Sequence, residues 1–235
     1  MFTILQRKTT IAESGLLDGF CDRHSHILPD VDDGFRTVQE SVEALKKMDT
    51  YGVKDVWLTP HIMEDIPNST ELLRQKFTAL CEAYNGNIRL HLAAENMIDC
   101  LFSERWGNKD LLTMDDRHLL VETSYFNPPL NLTDILSQIC AKGYTPVLAH
   151  PERYKYMDCD TYKRLKALGV KFQLNLGAIA GGYSEATRRN AEWLLTQSMY
   201  DFVGSDVHRL RFYEKIVHTP IPRKFAEAIK TIPNE

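Results

Sequence analysis

Cysteine is scarce in this sequence and nowhere closely paired. Five cysteines are spread over 235 residues, an odd number with wide spacings and no CxxC pair. A disulfide-bonded scaffold would carry an even number of cysteines at close spacings. The pattern therefore argues against a disulfide framework and indicates a reducing compartment.

Long apolar runs and an excess of positive charge are also missing. No apolar run is long enough to span a membrane, and the first fifteen residues lack the apolar core of a secretory signal. The formal net charge is −4, which gives no general attraction for the phosphates of nucleic acid. We therefore expect a cytoplasmic protein with no nucleic-acid partner and no membrane insertion.

The sequence does contain a regular alternation of strand-like and helix-like segments. The predicted strands are residues 19–24, 54–59, 88–94, 118–123, 144–149, 170–175 and 200–205. The predicted helices are residues 37–51, 70–84, 131–142, 158–168 and 184–198. This alternation predicts an α/β fold with right-handed crossovers and a parallel sheet. Because no linker or change of composition interrupts it, we expect a single domain, built as one closed or nearly closed barrel.

Histidine or acidic side chains follow six of these seven predicted strands. They are His24, His26, His61, Glu95, Glu122, His150, Asp206 and His208. Taken singly, each is more simply a hydrogen-bonded turn residue or a helix cap. The carboxyl ends of parallel barrel strands meet on one rim, however, and carboxylates gathered there without a counter-ion would repel each other. Bound divalent cations remove that conflict, so the sequence predicts a metal site.

The spacing of these residues adds detail to the prediction. In the HxH and DxH motifs at 24–26 and 206–208, the period of two directs both side chains to one side. Imidazoles and carboxylates without nearby cysteine suit zinc, manganese or iron. With Asp33 there are nine candidate ligands, enough for two or three ions. Such ions lower the pKa of a bound water toward neutrality and suit attack on a phosphorus centre.

Four motifs together carry a family resemblance. "HSHILPDVDDG", "TPH", "AHPERY" and "SDVH", in this order and spacing, resemble the polymerase-and-histidinol-phosphatase (PHP) superfamily. Within it, the sequence is most similar to the bacterial tyrosine-protein phosphatases of capsule and exopolysaccharide gene clusters. The resemblance runs from about residue 19 to about residue 212. It implies a distorted seven-stranded (β/α)7 barrel, similar to a TIM barrel, in a single domain over residues 1–235. Residues 1–18 would be an N-terminal extension and residues 214–235 a C-terminal tail or helix.

The resemblance also implies a trinuclear metal centre that hydrolyses phosphomonoesters. Carried over by position, one metal would be bound by His24, His26, Glu95 and Asp206. A second would be bound by Glu95, Glu122 and His150, and a third by Asp33, His61 and His208. Each position holds a residue able to bind a metal, which argues against a non-catalytic copy.

Arginines near these motifs are candidates for binding phosphate. Arg153 follows His150, and Arg209 and Arg211 follow the DxH motif. A planar guanidinium donates two parallel hydrogen bonds to a phosphate; the alternative is a solvated loop arginine. The resemblance favours Arg153 and one arginine after the DxH motif.

Three other segments near the predicted site have less distinctive sequences. Tyr125 and Phe126, in "SYFNPPLN", would form aromatic walls or belong to a rigid proline turn. The glycines of "GAIAGGYSE" indicate a tight loop before a helix rather than a phosphate cradle. Asp30 and Asp32 are expected to form turns or to support the imidazoles.

Arg23 departs from the family pattern, which has an apolar residue between the aspartate and the first histidine of the HxH motif. Strand alternation directs Arg23 away from the metals and toward the helical layer. A buried arginine there would need an acidic partner.

The sequence thus predicts a metal-dependent phosphomonoesterase with a water-derived nucleophile. The resemblance implies a protein-tyrosine phosphatase whose partner is the phosphotyrosine-bearing tail of a tyrosine kinase that controls polysaccharide export. A histidinol-phosphate phosphatase, or another phosphatase of small phosphomonoesters, is the main alternative. A nuclease is disfavoured by the net charge, and a non-catalytic binding domain by the complete ligand set. A homo-oligomer is also compatible with the sequence.

Overall fold

Strands and helices alternate along the chain in the computed structural model, which describes residues 7–108 and 110–234. The strands are β1 (Lys8–Thr10), β2 (Cys21–Ser25), β3 (Asp55–Leu58), β4 (His61–Ile62), β5 (Arg89–Leu92), β6 (Glu95–Met97), β7 (His118–Glu122), β8 (Thr145–Ala149), β9 (Lys171–Asn175), β10 (Phe202–Gly204) and β11 (Pro220–Pro222). The helices are α1 (Val38–Thr50), α2 (Thr70–Ala83), α3 (Cys100–Asn108), α4 (Leu132–Ala141), α5 (Cys159–Ala167), α6 (Leu176–Ile179), α7 (Glu185–Thr196), α8 (Leu210–His218) and α9 (Arg223–Lys230).

The predicted elements are confirmed, with small shifts at their ends, and the structure adds several short ones. The additions include β4 and β6, which follow β3 and β5 after breaks of two residues. They also include α3, α8, the antiparallel pair β1 and β11, and α9, which lies in the predicted C-terminal tail. None of the described helices has the length and apolar character needed to cross a membrane.

Parallel strand pairing organises the fold, as the alternation predicts. One sheet has the order β2-β3-β5, and a second has the order β10-β9-β8-β7-β6-β4, with every pair in both sheets parallel. An isolated parallel bridge joins Ser25 of β2 to Val207, just after β10. Register places the candidate ligands His61 and Glu95 side by side, and it pairs the candidate ligand Glu122 with Met97. The α/β class with parallel strands is confirmed.

Helix α1 shows how local sequence fixes an element. Thr37 accepts a hydrogen bond from the backbone N–H of Glu40, and the Glu40 side chain accepts one from the N–H of Thr37, forming a capping box. The helix buries Ala44, Leu45 and Met48 against the core. Gly52, with a φ of +93°, then allows the turn into β3.

Two apolar clusters lie on opposite faces of the strands. The larger one packs between strands and helices, and it includes Leu119 and Val121 of β7. The smaller one includes Leu120 of β7 and Phe202 of β10. Because side chains alternate along a strand, Leu120 lies on the same face as Glu122. The smaller cluster is therefore an apolar base on the face that carries the predicted ligand Glu122.

The direction of the Arg23 side chain differs from the prediction. A β-bulge between Asp22 and Ser25 breaks the alternation of β2. The Arg23 guanidinium lies over the rings of Trp57 and Phe202, at 5.7 and 5.3 Å, and so turns toward the smaller cluster. The prediction that it faces the helical layer is wrong. The expected acidic partner of Arg23 is Asp115, whose Oδ2 lies 3.6 Å from Arg23 Nη1.

The two ends of the described chain pack together. Strand β1 pairs with β11 in antiparallel register, with Lys8 opposite Pro222. Ile11 and Leu17 from the N-terminal segment are buried in the same core as Ile221 and Ile229. Residues 1–6 of the predicted N-terminal extension lie outside the described residues.

Replacing Asp201 by Asn should lower the free energy of unfolding by about 1–3 kcal/mol at pH 7. The Asp201 carboxylate accepts hydrogen bonds from Lys166, from Lys171 at 2.9 Å and from the Phe172 N–H at 2.9 Å. Burial alone would raise the pKa of Asp201, but these donors outweigh it and lower the pKa. Its stabilisation is therefore present above the unfolded-state pKa and is lost as pH falls through the lower folded-state pKa. Urea unfolding of both proteins from pH 7 to below about pH 3.8 should show the difference shrinking, and a constant difference would contradict this assignment.

Candidate metal centre

The nine predicted ligands converge on one cavity. The cavity has a volume of about 390 Å³, and its lining includes seven of them: Asp33, His61, Glu95, Glu122, His150, Asp206 and His208. His24 and His26 are fully buried behind it and contact its carboxylates. The strand ends thus bring together side chains that are far apart in the sequence.

Glu95, at the start of β6, lies at the centre of the cluster. Its Oε2 atom lies 3.2 Å from His24 Nε2, 3.3 Å from His26 Nε2 and 3.1 Å from His61 Nδ1. Its other oxygen, Oε1, lies 2.9 Å from His150 Nε2. One carboxylate therefore lies within 3.3 Å of a nitrogen from each of four imidazoles.

Ligand atoms close enough to share a metal ion form four groups. They are His24, His26 and Asp206; His24, Glu95 and His150; His61, Glu95 and Glu122; and His26, Asp33, His61 and His208. The last group contains the predicted third set together with His26. The predicted second set is spread over two of these groups, both of which contain Glu95, and His150 Nε2 lies 4.0 Å from Glu122 Oε2.

Unsatisfied buried atoms indicate that the cluster fits cations. Glu95 Oε2, His61 Nδ1 and His150 Nδ1 are buried, and none makes a hydrogen bond of good geometry within the described residues, although Glu95 Oε2 and His61 Nδ1 lie only 3.1 Å apart. A buried polar atom without a partner is costly. Nitrogen and oxygen donors from imidazole and carboxylate are the set that zinc, manganese and iron accept.

The charges of the cluster act strongly on its imidazoles. Burial lowers the pKa of His24, but the negative charges of Glu95 and Asp206 outweigh burial and raise it to about 9. Burial likewise raises the pKa of Glu95, but His24 and His61 hold it well below its usual range. The same negative field that draws protons to the imidazoles attracts a divalent cation, which then competes with those protons.

Two ligands have backbones that aim them into the cavity. His150 and Asp206 adopt left-handed conformations, with φ of 34° and 52°. Such a backbone is uncommon for residues other than glycine and costs free energy. His150 directly follows β8, and Asp206 lies two residues after the end of β10.

Supporting residues fix which nitrogen of each imidazole faces the cavity. His26 Nδ1 lies 2.8 Å from Asp32 Oδ2, and His24 Nδ1 lies 2.9 Å from Gln173 Oε1. Both contacts direct Nε2 toward the carboxylates of Glu95 and Asp206. Asp32 therefore supports an imidazole, which is one of the two roles predicted for it. Asp30 instead forms an exposed ion pair with Lys76. Gln173 was missed because it lies on the one predicted strand that ends in no ligand.

The three candidate arginines lie in different settings. Arg153 lines the cavity, and its Nη1 donates to Asp206 Oδ2 at 3.1 Å. The guanidinium of Arg209 donates to backbone carbonyls, with Nη1 2.7 Å from the backbone oxygen of Asp33. Arg209 therefore holds the loop that carries the candidate ligand Asp33. Arg211 is exposed on α8.

The two candidate aromatic walls also differ. Tyr125 lines the cavity, with the Arg153 guanidinium carbon 4.1 Å from its ring centre. Phe126 is 65% exposed and lies outside the cavity lining. Of the two, only Tyr125 is placed to contact a molecule bound in the cavity.

Comparison with known proteins identifies the family. The family model described as capsular polysaccharide synthesis, CpsB/CapC, matches residues 20–215. The chain belongs to this family. The family assignment confirms the predicted resemblance to proteins of capsule gene clusters. The matched segment contains all nine candidate ligands and the three candidate arginines, and it leaves β1 and α9 outside.

Curated relatives match most of the chain. It is 28% identical to the putative tyrosine-protein phosphatase CapC of Staphylococcus aureus, over 80% of this chain and 77% of the relative. It is 29% identical to the tyrosine-protein phosphatase CpsB of Streptococcus pneumoniae, over 80% of this chain and 83% of the relative.

A solved structure shares the fold. It comes from the crystal structures of YwqE from Bacillus subtilis and CpsB from Streptococcus pneumoniae, described as unique metal-dependent tyrosine phosphatases. The similarity has a TM-score of 0.75 at 22% identity and covers 92% of this chain and 89% of the other. This CpsB/CapC family member therefore has the same α/β architecture.

Proposed function

We propose that this chain is a metal-dependent protein-tyrosine phosphatase. The observation that carries the proposal is the convergence of nine imidazole and carboxylate side chains on one cavity, beside an arginine. Membership in the CpsB/CapC family and relatives named tyrosine-protein phosphatases support the same activity.

We assign two or three divalent transition metals, drawn from manganese, iron and zinc, to the nine candidate ligands. Glu95 would bridge, because it reaches four imidazoles. When bound, such metals activate water as a nucleophile and polarise phosphoryl oxygens. The acidic partners of the imidazoles, Asp32 among them, hold the ligands in the orientation that binding requires.

Residues of the chain itself would orient the substrate. Arg153 would donate its planar fork to the phosphoryl oxygens, since it lies in the cavity next to Asp206. Tyr125 would lie beside the phenyl ring of phosphotyrosine, because its own ring faces the cavity. The exposed Arg211 and the carbonyl-bound Arg209 are weaker candidates for the phosphate contact.

The strand arrangement supports a distorted (β/α)7 barrel in a single domain. Seven walls would be formed by β2, by β3 with β4, by β5 with β6, and by β7, β8, β9 and β10. The bridge between Ser25 and Val207 would close the ring between β10 and β2. The paired terminal strands β1 and β11 pack on the same core and support a single domain.

The proposed substrate is phosphotyrosine on a protein, in particular the tail of a tyrosine kinase that regulates polysaccharide export. The capsule-synthesis family supports this setting. Five free cysteines favour a reducing compartment, and we place the protein in the cytoplasm.

The substrate class is tested by assaying the purified, metal-loaded protein on three substrates. A phosphotyrosyl peptide, histidinol phosphate and single-stranded DNA represent the proposed class and its two catalytic alternatives. We expect the highest kcat/KM on the peptide. Preferential hydrolysis of histidinol phosphate or of DNA would replace the proposal by the corresponding alternative.

Alkylating the cysteines should leave phosphatase activity intact, whereas a chelator should abolish it. No cysteine belongs to the described lining of the cavity, and Cys81, Cys100 and Cys159 are exposed. Activity after iodoacetamide or chelator treatment, with mass spectrometry to count modified thiols, measures both effects. Loss of activity in proportion to thiol modification would overturn the proposed water nucleophile.

A further inference from the structure

We propose that Asn175 and Tyr183 are positioning residues that hold Asp206 with one oxygen turned toward the metals and the other fixed. This inference rests on the metal site proposed above. Asn175 ends β9, and Tyr183 lies between α6 and α7, in the segment "GAIAGGYSE" that the sequence predicts only as a tight loop before a helix.

The two oxygens of Asp206 have separate surroundings. Oδ1 faces the metal group, 3.5 Å from His24 Nε2 and 3.3 Å from His26 Nε2. Oδ2 accepts hydrogen bonds from Asn175 Nδ2 at 2.6 Å, Arg153 Nη1 at 3.1 Å and the Tyr183 hydroxyl at 3.2 Å. Three donors on one oxygen prevent the carboxylate from rotating, so Oδ1 stays available as a ligand.

The hydrogen-bond directions follow from the groups themselves. Asn175 Oδ1 accepts from the backbone N–H of Gly177 at 2.7 Å, so its Nδ2 must be the atom that faces Asp206. Nδ2 also donates to the Tyr183 oxygen at 3.0 Å. Because an amide nitrogen only donates, the single hydroxyl proton of Tyr183 is directed to Asp206. Asn175 Nδ2 and the Tyr183 hydroxyl therefore both donate to the carboxylate, while Asn175 Oδ1 fixes the orientation of the amide.

The pair is itself held firmly by its surroundings. Asn175 is fully buried, and its backbone N–H donates to the buried Glu152 at 3.0 Å. A Cβ atom on Gly177 would lie 3.1 Å from the Tyr183 ring, so the loop packs as closely as glycine allows. This support makes the positions of Asn175 and Tyr183 well defined.

Tyr183 also contacts the proposed phosphate clamp. The Arg153 guanidinium carbon lies 4.5 Å from the Tyr183 ring centre and 4.1 Å from that of Tyr125. The hydroxyl of Tyr183 thus donates a hydrogen bond to Asp206, and its ring packs against the guanidinium of Arg153. Removal of the hydroxyl and removal of the whole ring therefore have different expected effects.

The test compares Tyr183→Phe, Tyr183→Ala and Asn175→Ala in Mn²⁺ titrations of chelator-stripped protein by calorimetry. We expect Tyr183→Phe and Asn175→Ala each to weaken binding of the ion held by Asp206 by about 10–100-fold. Kinetics on p-nitrophenyl phosphate at saturating Mn²⁺ should show an unchanged KM for Tyr183→Phe and a raised KM for Tyr183→Ala. Tyr51→Phe is the matched control, because its hydroxyl contacts His218 at 2.9 Å, outside the metal site. Thermal unfolding without metal identifies any variant that fails to fold.

The outcomes separate this inference from the proposed function. If the unmodified protein takes up no Mn²⁺, zinc or iron, the metal site and this inference both fail. If the unmodified protein binds metal and Tyr183→Phe matches Tyr51→Phe in affinity, only the positioning role fails.

Discussion

Replacing Glu95 by Gln is expected to reduce turnover by roughly a thousandfold or more, equivalent to about 4 kcal/mol of transition-state stabilisation. Glu95 reaches His24, His26 and His61 through one oxygen and His150 through the other. Gln has the same shape but lacks the charge, and its NH₂ group is a donor that cannot bind a metal. Metal content should fall together with kcat, because ligand loss acts on binding first.

Metal analysis and steady-state kinetics on the same preparations measure this effect. The matched control is Glu43→Gln, which removes an exposed carboxylate from α1 and should leave both quantities unchanged. A Glu95→Gln protein with normal metal content and normal kcat would show that Glu95 bridges nothing.

Replacing Arg153 by Ala should leave the metals bound but raise the barrier to hydrolysis by about 2–4 kcal/mol. A guanidinium is a cation and is no metal ligand, and Asn175 and Tyr183 still donate to Asp206 Oδ2 in this variant, so at saturating metal the metal content should stay normal. The variant lacks the hydrogen bonds that would stabilise the negative charge developing on the phosphoryl oxygens. Its kcat/KM should therefore fall by roughly 30- to 1000-fold. Arg153→Lys should recover only part of this, since it keeps the charge but loses the planar fork.

The assay uses a phosphotyrosyl peptide and a simple aryl phosphate, with metal content measured in parallel. Arg223→Ala is the matched control, because Arg223 is exposed on α9. Normal metals with normal kinetics on both substrates would make Arg153 a structural residue. The phosphate clamp would then have to be sought at Arg209 or Arg211.

The convergence of the ligands was predictable from the sequence because parallel strands have a fixed polarity. Once strands alternate with helices, the residues after each strand must meet at one edge of the sheet. His61 and Glu95 illustrate this, since they are paired residues of adjacent strands although 34 positions separate them.

The division of the ligands into groups was not predictable, because it depends on distances that strand curvature sets. His61 and Glu122, for example, share a group because His61 Nδ1 lies 3.0 Å from Glu122 Oε1, a distance that no sequence pattern specifies. The residues behind the ligands were also hidden. Asn175 and Gln173 carry ordinary amides, and their meaning appears only when the fold brings them to Asp206 and His24.

Local backbone structure determines where the guanidinium groups of Arg23 and Arg209 lie. A bulge of one residue in β2 turned Arg23 toward Trp57 and Phe202. Arg209 satisfies its guanidinium with the carbonyls of the loop that carries Asp33. In both cases, the position of the guanidinium depends on local backbone geometry, which the regular alternation of side chains along a strand does not describe.

The central claim is that these nine side chains bind catalytic metals. Elemental analysis of protein purified without chelator tests it most directly, followed by a phosphotyrosyl-peptide assay before and after chelation. The account predicts more than one equivalent of manganese, iron or zinc per chain, and hydrolysis that chelation abolishes and added metal restores. A protein that contains none of these metals, and that takes up none when they are added, would contradict it.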